Sequence, residues 1–360
     1  MRTTPRSRAA SAARLLALAG TAAALLAGCS GSGGQQSALS PSGAEAERVD
    51  SHWQLMLVVG SVVWVLVVVA LLVAVLRRGR EDGEDGRRGH LVVAFAGAVV
   101  PALVIVAVFA DSVLVLRDTA DDGAKAETVV EVTGHQYWWE IRYPGHDVVT
   151  ANEVHVPVGE TVRVELTSAD VIHSLWVPEL SGKVDLVPGS TNVMTLHATE
   201  PGTYWGQCAE YCGVQHAWMR FVVVAHDEEE FDGWVAAQAR PAEGGLPLAE
   251  DDPAADADPT GDPTAADAEL VARGREVFMS SSCVYCHTIA GTEARGTLGP
   301  DLTHLASRQT LGAGVLANDT GNLAAWILDP QSVKPGNAMP GTDMDGDDLQ
   351  ALLAYLESLE

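Results

Sequence analysis

The sequence has few cysteines and few basic residues, and each shortage excludes a class of protein. Five cysteines occur in 360 residues. They are Cys29, Cys208, Cys212, Cys283 and Cys286. An odd number without a long-range pairing pattern does not indicate a disulfide-stabilised scaffold. Lysine and arginine total 22 against 48 aspartates and glutamates, for a formal net charge of −26. Because nucleic acids are bound through clustered Lys and Arg, this charge excludes a nucleic-acid partner.

The N-terminus is typical of an export signal. Arginines precede an apolar run from Leu15 to Leu26, and small residues follow. The run ends in Leu-Ala-Gly-Cys, which resembles the bacterial lipoprotein signal and implies that residues 1–28 are removed and that Cys29 is lipidated. An ordinary signal peptide with an incidental cysteine is the alternative. We expect residues 29–50 to form a flexible segment.

Two apolar runs predict a membrane hairpin within residues 51–117. Residues 53–76 carry no charge and residues 91–116 carry only Asp111, and a span needs about 20 apolar residues. Pro101 would kink the second helix. The connecting loop holds a cluster of arginines, so the positive-inside rule places it in the cytoplasm. We therefore expect a two-helix protein of the bacterial cell membrane, in contact with lipid, with its remaining domains on the extracytoplasmic side.

The rest of the chain predicts a β domain, a linker and an α domain. Short alternating segments between 125 and 225, separated by Gly, Pro and Asn turns, predict an all-β Greek-key sandwich. Residues 226–268 are rich in Asp, Glu, Ala and Pro, and we expect this acidic linker to be disordered because it has little apolar surface to bury. Residues 269–360 show helical spacing of apolar residues at both ends, which indicates a small all-α domain.

The motif Cys-Val-Tyr-Cys-His, residues 283–287, is the attachment pattern of a c-type haem. Cys283 and Cys286 would bond the porphyrin covalently, and His287 would bind the iron. A zinc site would need further ligands, and downstream only His304 is present. A thioredoxin-like redox motif would lie in a βαβ pattern, which this segment lacks. Haem is therefore the prediction for this motif.

A haem that only carries electrons needs a second axial ligand, and Met339 and Met344 are the candidates. An amphipathic first helix, the Cys-x-x-Cys-His motif, "LGPDLT" (298–303), a Met-Pro pair and a closing helix together resemble the class I cytochrome c domains. The resemblance favours Met339, in a Pro/Gly loop, over Met344, in an acidic loop. It also implies that Pro300 helps to position the His287 side of the haem pocket.

The stretch "CAEYCGVQHAWM", residues 208–219, gathers two thiols, an imidazole and a thioether. These donors together favour copper. A mononuclear site would use two His, one Cys and a weak Met, whereas the additional cysteine allows two sulfurs to bridge two coppers. A disulfide between the two cysteines would leave His216 and Met219 unexplained, and zinc rarely uses methionine.

This stretch, "VIHSLWVPEL" (171–180), "GHQYWWEIRY" (134–143) and the hairpin resemble cytochrome c oxidase subunit II with a fused cytochrome c. The resemblance implies a cupredoxin fold that carries a dinuclear CuA centre. The implied copper ligands are the bridging Cys208 and Cys212, the terminal His173 and His216, and the axial Met219 and Glu210 carbonyl. The Glu210 carboxylate would face a shared magnesium at the boundary with subunit I, close to the segment of Asp185.

Two positions depart from the pattern of that family. A tryptophan follows Gly-His-Gln in the family and takes electrons from soluble cytochrome c. Here Tyr137 stands at that position before Trp138 and Trp139, so these three are the candidates for electron entry. Ala94 stands where the family often has a glutamate at the mouth of a proton path, and His90 is a substitute. The remaining histidines are expected to be surface or structural residues: His135, His146, His155, His197 and His226.

The resemblance implies an electron relay with no catalytic residue in this chain. Electrons would pass from an upstream donor, such as a cytochrome bc complex or cytochrome c, to the haem, then to copper, and then to subunit I. There oxygen is reduced to water with proton pumping; subunit III is a further partner. We expect a tether of about 40 residues, with a reach of roughly 35 Å, to deliver the haem domain.

Three other functions are alternatives to the relay. The main alternative is a membrane-anchored copper and haem electron-shuttle lipoprotein without an oxidase partner. Nitrous oxide reductase also uses this copper centre. The hairpin disfavours both, since neither needs two spanning helices. A quinol oxidase subunit would lack these ligands.

Overall fold

The computed structural model describes residues 34–77, 86–119, 123–242 and 263–360. The predicted signal peptide, the lipidation site Cys29, most of the arginine-rich loop and the middle of the predicted linker lie outside these residues.

The two apolar runs form helices that are long and apolar enough to cross a membrane. The first, α1, spans Ala44–Arg77. The second begins as α2 (Gly86–Ala94), passes through a π-helical turn (Phe95–Val99) and continues as α3 (Val100–Asp118). Pro101 lies just after the wide turn. Because proline has no N–H to donate to the preceding turn, the irregularity falls where the sequence predicts a kink.

A polar cluster joins the two helices near the end remote from the arginine-rich loop. His52 Nδ1 lies 2.6 Å from Asp111 Oδ2. Its Nε2 lies 2.9 Å from the Ser112 hydroxyl. Polar groups in an apolar surrounding are costly unless they are paired, so this cluster fixes the register of the hairpin.

The segment before α1 packs against the β domain, so the prediction of a flexible segment over 29–50 is wrong for its described part. Ser42 N–H donates to the Glu179 carbonyl at 2.7 Å. The Glu45 carboxylate accepts from the hydroxyls of Ser181 and Thr195, each at 2.5 Å. These long-range bonds, which local sequence does not reveal, tie the membrane hairpin to the β domain.

Ten strands of the described chain form a sandwich of two five-stranded sheets, with orders β3-β2-β1-β5-β8 and β4-β10-β9-β6-β7. The strands are β1 (Val129–His135), β2 (Trp138–Tyr143), β3 (Val148–Ala151), β4 (Glu153–Pro157), β5 (Val162–Ser168), β6 (His173–Trp176), β7 (Val184–Leu186), β8 (Asn192–Leu196), β9 (Gly202–Cys208) and β10 (Arg220–His226). Strands β1 and β5 pair in parallel, as do β4 and β10. Burial alternates along β5, as its period-two sequence predicts. The predicted all-β sandwich is confirmed.

The β domain ends later than the sequence predicts, because helix α4 (Glu228–Gln238) follows β10 directly. Phe231 and Val235 are buried one turn apart on this helix. Trp234, from the same helix, stacks on His155 with ring centroids 3.9 Å apart. Three apolar residues at helical spacing are therefore enough to order the first part of the expected linker, despite its acidic composition.

The C-terminal domain is helical. It contains α5 (Pro263–Ser280), a 3₁₀ turn (Ser282–Tyr285), a small hairpin of β11 (Thr310–Leu311) and β12 (Leu316–Ala317), α6 (Thr320–Leu328), α7 (Pro330–Val333) and α8 (Gly346–Glu357). Helices α5 and α8 meet at Gly274, where an added Cβ would lie 1.9 Å from the Ala351 carbonyl oxygen. The Asp345 carboxylate caps α8 by accepting from Asp348 N–H at 2.9 Å. The linker prediction also differs at its end, because α5 already begins at Pro263.

The α domain rests on the β domain, which differs from the expectation of a domain carried on a free tether. For example, Arg220 N–H of β10 donates to the Ala313 carbonyl of the β11–β12 turn at 3.0 Å. The two domains therefore share an interface in the described structure.

Candidate metal centres

The soft donors converge where strands β6 and β9 lie side by side. Leu175 of β6 pairs with Cys208, the last residue of β9. His173 begins β6 and is completely buried. The chain then loops through Cys212 and returns by a 3₁₀ turn that begins at His216. Sheet pairing thus delivers the histidine that the 208–219 loop itself lacks.

The donors form two matching halves around the two thiols. Cys208 Sγ lies 3.9 Å from His173 Nδ1 and 3.3 Å from the Glu210 carbonyl oxygen. Cys212 Sγ lies 3.9 Å from His216 Nδ1 and 3.9 Å from Met219 Sδ. The two sulfurs are 3.8 Å apart and both thiols are free. All six residues implied as copper ligands are brought together, although their roles as ligands stay a prediction.

The spacing and chemistry of these donors fit soft metal ions. One ion bonded to both sulfurs at about 2.3 Å, a usual metal–thiolate length, can span the gap between them. Cys208 also favours metal binding, because the thiolate is the binding form. A hydrogen bond from Cys212 holds the pKa of Cys208 far below its usual value. The same bond and burial raise the pKa of Cys212.

Three residues that the sequence reasoning passed over hold these ligands in place. His173 Nε2 donates to Asp170 Oδ1 at 2.8 Å, which leaves Nδ1 to face the thiols. Gln136 Nε2 donates to the Cys212 carbonyl at 2.6 Å, and its backbone N–H donates to Asp170 Oδ2 at 2.7 Å. An added Cβ at Gly134 would lie 2.8 Å from the His173 ring. The sequence signals for these residues are the Gly-His-Gln motif and a carboxylate three residues before a histidine.

Charge and burial act together at His173. Burial disfavours its protonated form, but hydrogen bonds to Cys208 and Asp170 outweigh burial and raise its pKa. Burial likewise disfavours the Asp170 carboxylate, but its bonds with His173 and two backbone N–H groups outweigh it and lower the pKa of Asp170. Asp170 therefore stays ionised and fixes the imidazole.

The predicted magnesium position has a lysine beside it. Lys183 Nζ lies 3.4 Å from Glu210 Oε2 and 3.4 Å from Asp185 Oδ1. The side chains of these three residues are exposed. Glu210 thus points its carboxylate away from the thiols while its carbonyl faces them, and magnesium stays a prediction.

The three candidates for electron entry lie in different surroundings. Trp139 is 0 % exposed and packs edge-on against His173 at 5.8 Å, so it cannot meet an external donor as a surface residue. Trp138 stacks on His135 at 4.4 Å. The Tyr137 hydroxyl accepts from Val214 N–H at 3.2 Å. Of the three, Tyr137 directly contacts the loop that carries the thiols.

The Cys-x-x-Cys-His motif is shaped to present one imidazole nitrogen. His287 Nδ1 lies 2.7 Å from the Pro300 carbonyl oxygen, which accepts its N–H and leaves Nε2 for iron. An added Cβ at Gly299 would lie 2.6 Å from the His287 ring. Burial lowers the pKa of His287 and so favours the neutral, ligating form. Cys283 and Cys286 are free and half-buried, so the residues present fit a covalently held haem.

The two candidate methionines differ in their surroundings. Met344 packs against the apolar core of the α domain. Met339 is half-buried in a loop that is fixed on both sides: its N–H donates to Asn337 Oδ1 at 2.7 Å, and its carbonyl accepts from Gln331 Nε2 at 3.0 Å. His304 is not a metal partner here, because its Nε2 faces the Gln238 carbonyl at 3.1 Å. Met339 as the second axial ligand stays a prediction.

The other predicted residues lie away from these centres. Ala94 ends α2 just before the π-helical turn, with His90 in the same helix. Among the histidines expected to be structural, His155 is buried and its Nδ1 lies 2.8 Å from His226 Nε2. His146 is exposed.

Comparison with known proteins identifies two domains. Residues 146–226 match the family model of the cytochrome C oxidase subunit II periplasmic domain, and residues 271–360 match that of cytochrome c. Cytochrome c oxidase subunit 2 of Alkalihalophilus pseudofirmus is 43% identical over 232 residues, which cover 64% of this chain and 61% of the relative. The protein of the same name from Bacillus sp. (strain PS3) is 33% identical over 243 residues, 64% of this chain and 62% of the relative.

A solved structure is also similar. The periplasmic domain of subunit II of cytochrome oxidase from Bradyrhizobium japonicum is 32% identical and covers 31% of this chain and 94% of its own, with a TM-score of 0.31. The chain spans about three fifths of the length of the curated relatives it matches. Its sandwich thus resembles a subunit II periplasmic domain, and the α domain that follows resembles cytochrome c. These domains imply copper and haem as cofactors.

Proposed function

We propose that this chain is subunit II of a haem-copper terminal oxidase and relays electrons from its fused haem c through a dinuclear copper centre to subunit I. There dioxygen is reduced to water with coupled proton pumping. The observation that carries the proposal is the pair of thiols 3.8 Å apart with an imidazole and a weak donor on each side. Both cofactors are one-electron carriers when bound, so the chain's residues act by holding them.

Each group of residues has one task in this proposal. Cys208 and Cys212, with His173, His216, Met219 and the Glu210 carbonyl, would hold two copper ions. Cys283 and Cys286 would hold the porphyrin covalently, and His287 and Met339 would bind its iron. Low exposure of both thiols keeps water out, and a rigid donor set limits movement when the charge changes.

The surface around the copper site supports a partner protein. Val171, Ile172 and Tyr211 are 37%, 44% and 75% exposed. They lie directly before His173 and between the two cysteines. Apolar side chains grouped at the mouth of a site are typical of an interaction surface. Subunit I is the partner we propose for this surface, with subunit III and an upstream cytochrome donor elsewhere in the complex.

The membrane hairpin supports an anchored location with the metal domains outside. We propose that α1 and the second helix span the bacterial plasma membrane, with both metal centres on the extracytoplasmic side. The fixed contacts of Glu45 then hold the β domain close to the bilayer surface.

Metal analysis tests the proposal. The full chain, purified in mild detergent with its natural partners, is expected to contain two coppers and one covalent haem per chain, in a complex with a polytopic haem- and copper-bearing subunit. One copper per chain would contradict the dinuclear site. Purification of a loaded chain without such a partner would support an electron-shuttle lipoprotein instead.

A further inference from the structure

The interface between the two metal-binding domains contains the buried charges of the protein. Among the described residues, Glu153, Arg308 and Lys334 are the only buried Asp, Glu, Lys or Arg side chains, with exposures of 1%, 8% and 2%. Glu153 belongs to β4 of the sandwich, and the other two belong to the α domain. Burying a charge is costly unless it is paired or hydrogen-bonded, so an interface that buries three is a specific one.

Glu153 forms hydrogen bonds to the start of the β11–β12 hairpin of the α domain. Its Oε1 accepts from Gln309 N–H at 2.7 Å and from Thr310 N–H at 3.0 Å. Burial raises the pKa of Glu153, and the positive charge of Arg308 together with these hydrogen bonds opposes that rise. Two successive backbone donors of the α domain therefore converge on one carboxylate of the other domain.

Lys334 forms the second contact, at the start of the loop that ends in Met339. Its Nζ donates to the Tyr137 carbonyl at 3.0 Å and to the Gly312 carbonyl at 3.0 Å. One ammonium group thus joins the haem-ligand loop, the β11–β12 turn and the sandwich. The group is 2% exposed, so these carbonyls replace its hydration shell.

At two glycines of the α domain, the backbone lies so close to the sandwich that a larger residue would not fit. An added Cβ at Gly336 would lie 2.8 Å from Val214 Cγ2. An added Cβ at Gly314, where φ is +76°, would lie 2.9 Å from Arg220 Cβ. Contacts this close belong to a packed interface of one geometry, not to an occasional encounter.

Two short hydrogen-bonded connections cross from the copper loop to the haem-ligand loop. The Gln215 side chain, next to His216, donates to the Pro335 carbonyl. The second connection runs through Gln136, whose side chain donates to the Cys212 carbonyl. The following residue, Tyr137, accepts from Lys334.

We propose that Glu153 and Lys334 are positioning residues that fix the haem domain on the copper domain, with the loop Lys334–Met339 held against the copper-ligand loop. The fixed contact, and not a swinging tether, then sets the separation of the two centres. This role rests on the proposed function for the identity of those centres. Tyr137 belongs to the interface within the chain, so an external donor delivers its electron to the haem domain.

Substitution of Lys334 tests the contact. In the purified full-length complex, Lys334→Met keeps the length of the side chain but removes the ammonium; Lys125→Met makes the same change at an exposed site. We expect Lys334→Met to weaken the docking equilibrium by about ten- to a hundredfold, the effect of losing charged hydrogen bonds, and to slow haem-to-copper electron transfer after flash reduction by up to that factor. Haem content and copper content should stay unchanged, as should every property of Lys125→Met. Both potentials are measured in each variant, so that a change in driving force is separated from a change in the contact.

Hydrogen exchange gives a readout that is independent of the cofactors. The amides of Gln309 and Thr310 should exchange at least about tenfold faster in Glu153→Ala and in Lys334→Met. Glu153→Gln, which keeps an acceptor oxygen, should restore part of the protection. Equal exchange and equal transfer rates in all variants would overturn the proposal.

Cleavage of the connecting segment separates a fixed contact from a tether without changing any interface residue. A protease site inserted between residues 250 and 255 of the full chain is cut after assembly. A fixed domain should stay bound through gel filtration and transfer its electron at a rate independent of dilution. Release of the haem domain, or a rate that falls on dilution, would overturn the proposal. A chain that lacks copper or haem would contradict the proposed function, whereas co-elution of the cleaved domain would still support the interface.

Discussion

At the residue scale, the proposed copper site depends on side chains that are not among its six donors. Asp170 fixes the Nε2 side of His173 at 2.8 Å, and Gln136 contacts both Asp170 and the loop of Cys212. Gly134 leaves the space that the His173 ring occupies. The Gly-His-Gln motif is thereby explained physically: the glycine admits a ligand, and the glutamine secures the ligand loop.

Asp170→Asn tests this support. The amide removes the charge that holds the His173 imidazole, so we expect copper affinity to fall by about 10- to 100-fold, the usual cost of losing such a partner. Titration with a competing chelator measures the change, and the copper absorption spectrum should shift with it. Asp232→Asn, on the exposed side of α4, is the control. Unchanged affinity in Asp170→Asn would show that His173 is held by packing alone.

At the scale of elements, helix α4 closes one side of the sandwich through a stack of rings. Trp234 lies over His155 at 3.9 Å, and His155 in turn stacks on His226 at 5.1 Å. Glu153 Oε2 lies 3.9 Å from His155 Nε2 on the same strand, and Glu230 of α4 lies 3.8 Å from His226. The stack lies between α4 and the strands. Protonation of a histidine in it therefore affects the packing of the helix on the sheet.

The stack predicts a loss of stability in acid. Burial, with the neighbouring His226, lowers the pKa of His155 from 6.5 to about 3. In the unfolded chain, His155 binds a proton as the pH falls below its ordinary pKa of 6.5, whereas in the folded chain it stays neutral there. The stability that His155 contributes is therefore present above that value and is lost as the pH falls towards the folded pKa.

Between about pH 7 and pH 5, this residue should account for about 2 kcal/mol of lost stability. Thermal unfolding of the detergent-solubilised protein at the two pH values measures this loss of stability. His155→Gln should reduce the pH dependence, and His146→Gln, at an exposed site, should not. An equal slope in His155→Gln would assign the acid sensitivity to other groups.

At the scale of the whole molecule, three modules are joined by specific contacts. The hairpin is held to the sandwich through Glu45, and the sandwich is held to the α domain through Glu153 and Lys334. The segment after α4 adds to the second junction, since Ala242 is buried in the apolar core of the α domain. The distances between membrane, copper site and haem site are therefore properties of the folded chain.

Glu45→Ala tests the junction with the membrane helices. The substitution leaves the hydroxyls of Ser181 and Thr195 without their carboxylate, and we expect the sandwich to lose about 1–3 kcal/mol of stability. A lower unfolding temperature and faster proteolysis between residues 34 and 43 would report the change. Glu47→Ala, exposed on the same helix, serves as the control. Identical behaviour of the two variants would mean that Glu45 does not hold the junction.

The sequence alone determined the features that depend on neighbours along the chain. The lengths of the apolar runs, the alternation in strands such as β5 and the donors within 208–219 and 283–287 are local, so each could be read directly. Even the second-helix irregularity followed from Pro101, because a missing N–H acts within one turn.

Only the tertiary structure decided the features that need distant residues to meet. The acidic composition of the segment did not predict α4. The three apolar residues of this helix stabilise it only by packing against strands that lie far back in the chain. Asp170 and Gln136 became visible as supports only once β1 and β6 placed them beside His173. The interface of Glu153 and Lys334 has no local pattern, since a buried charge is stabilised by partners that folding alone brings within hydrogen-bonding distance.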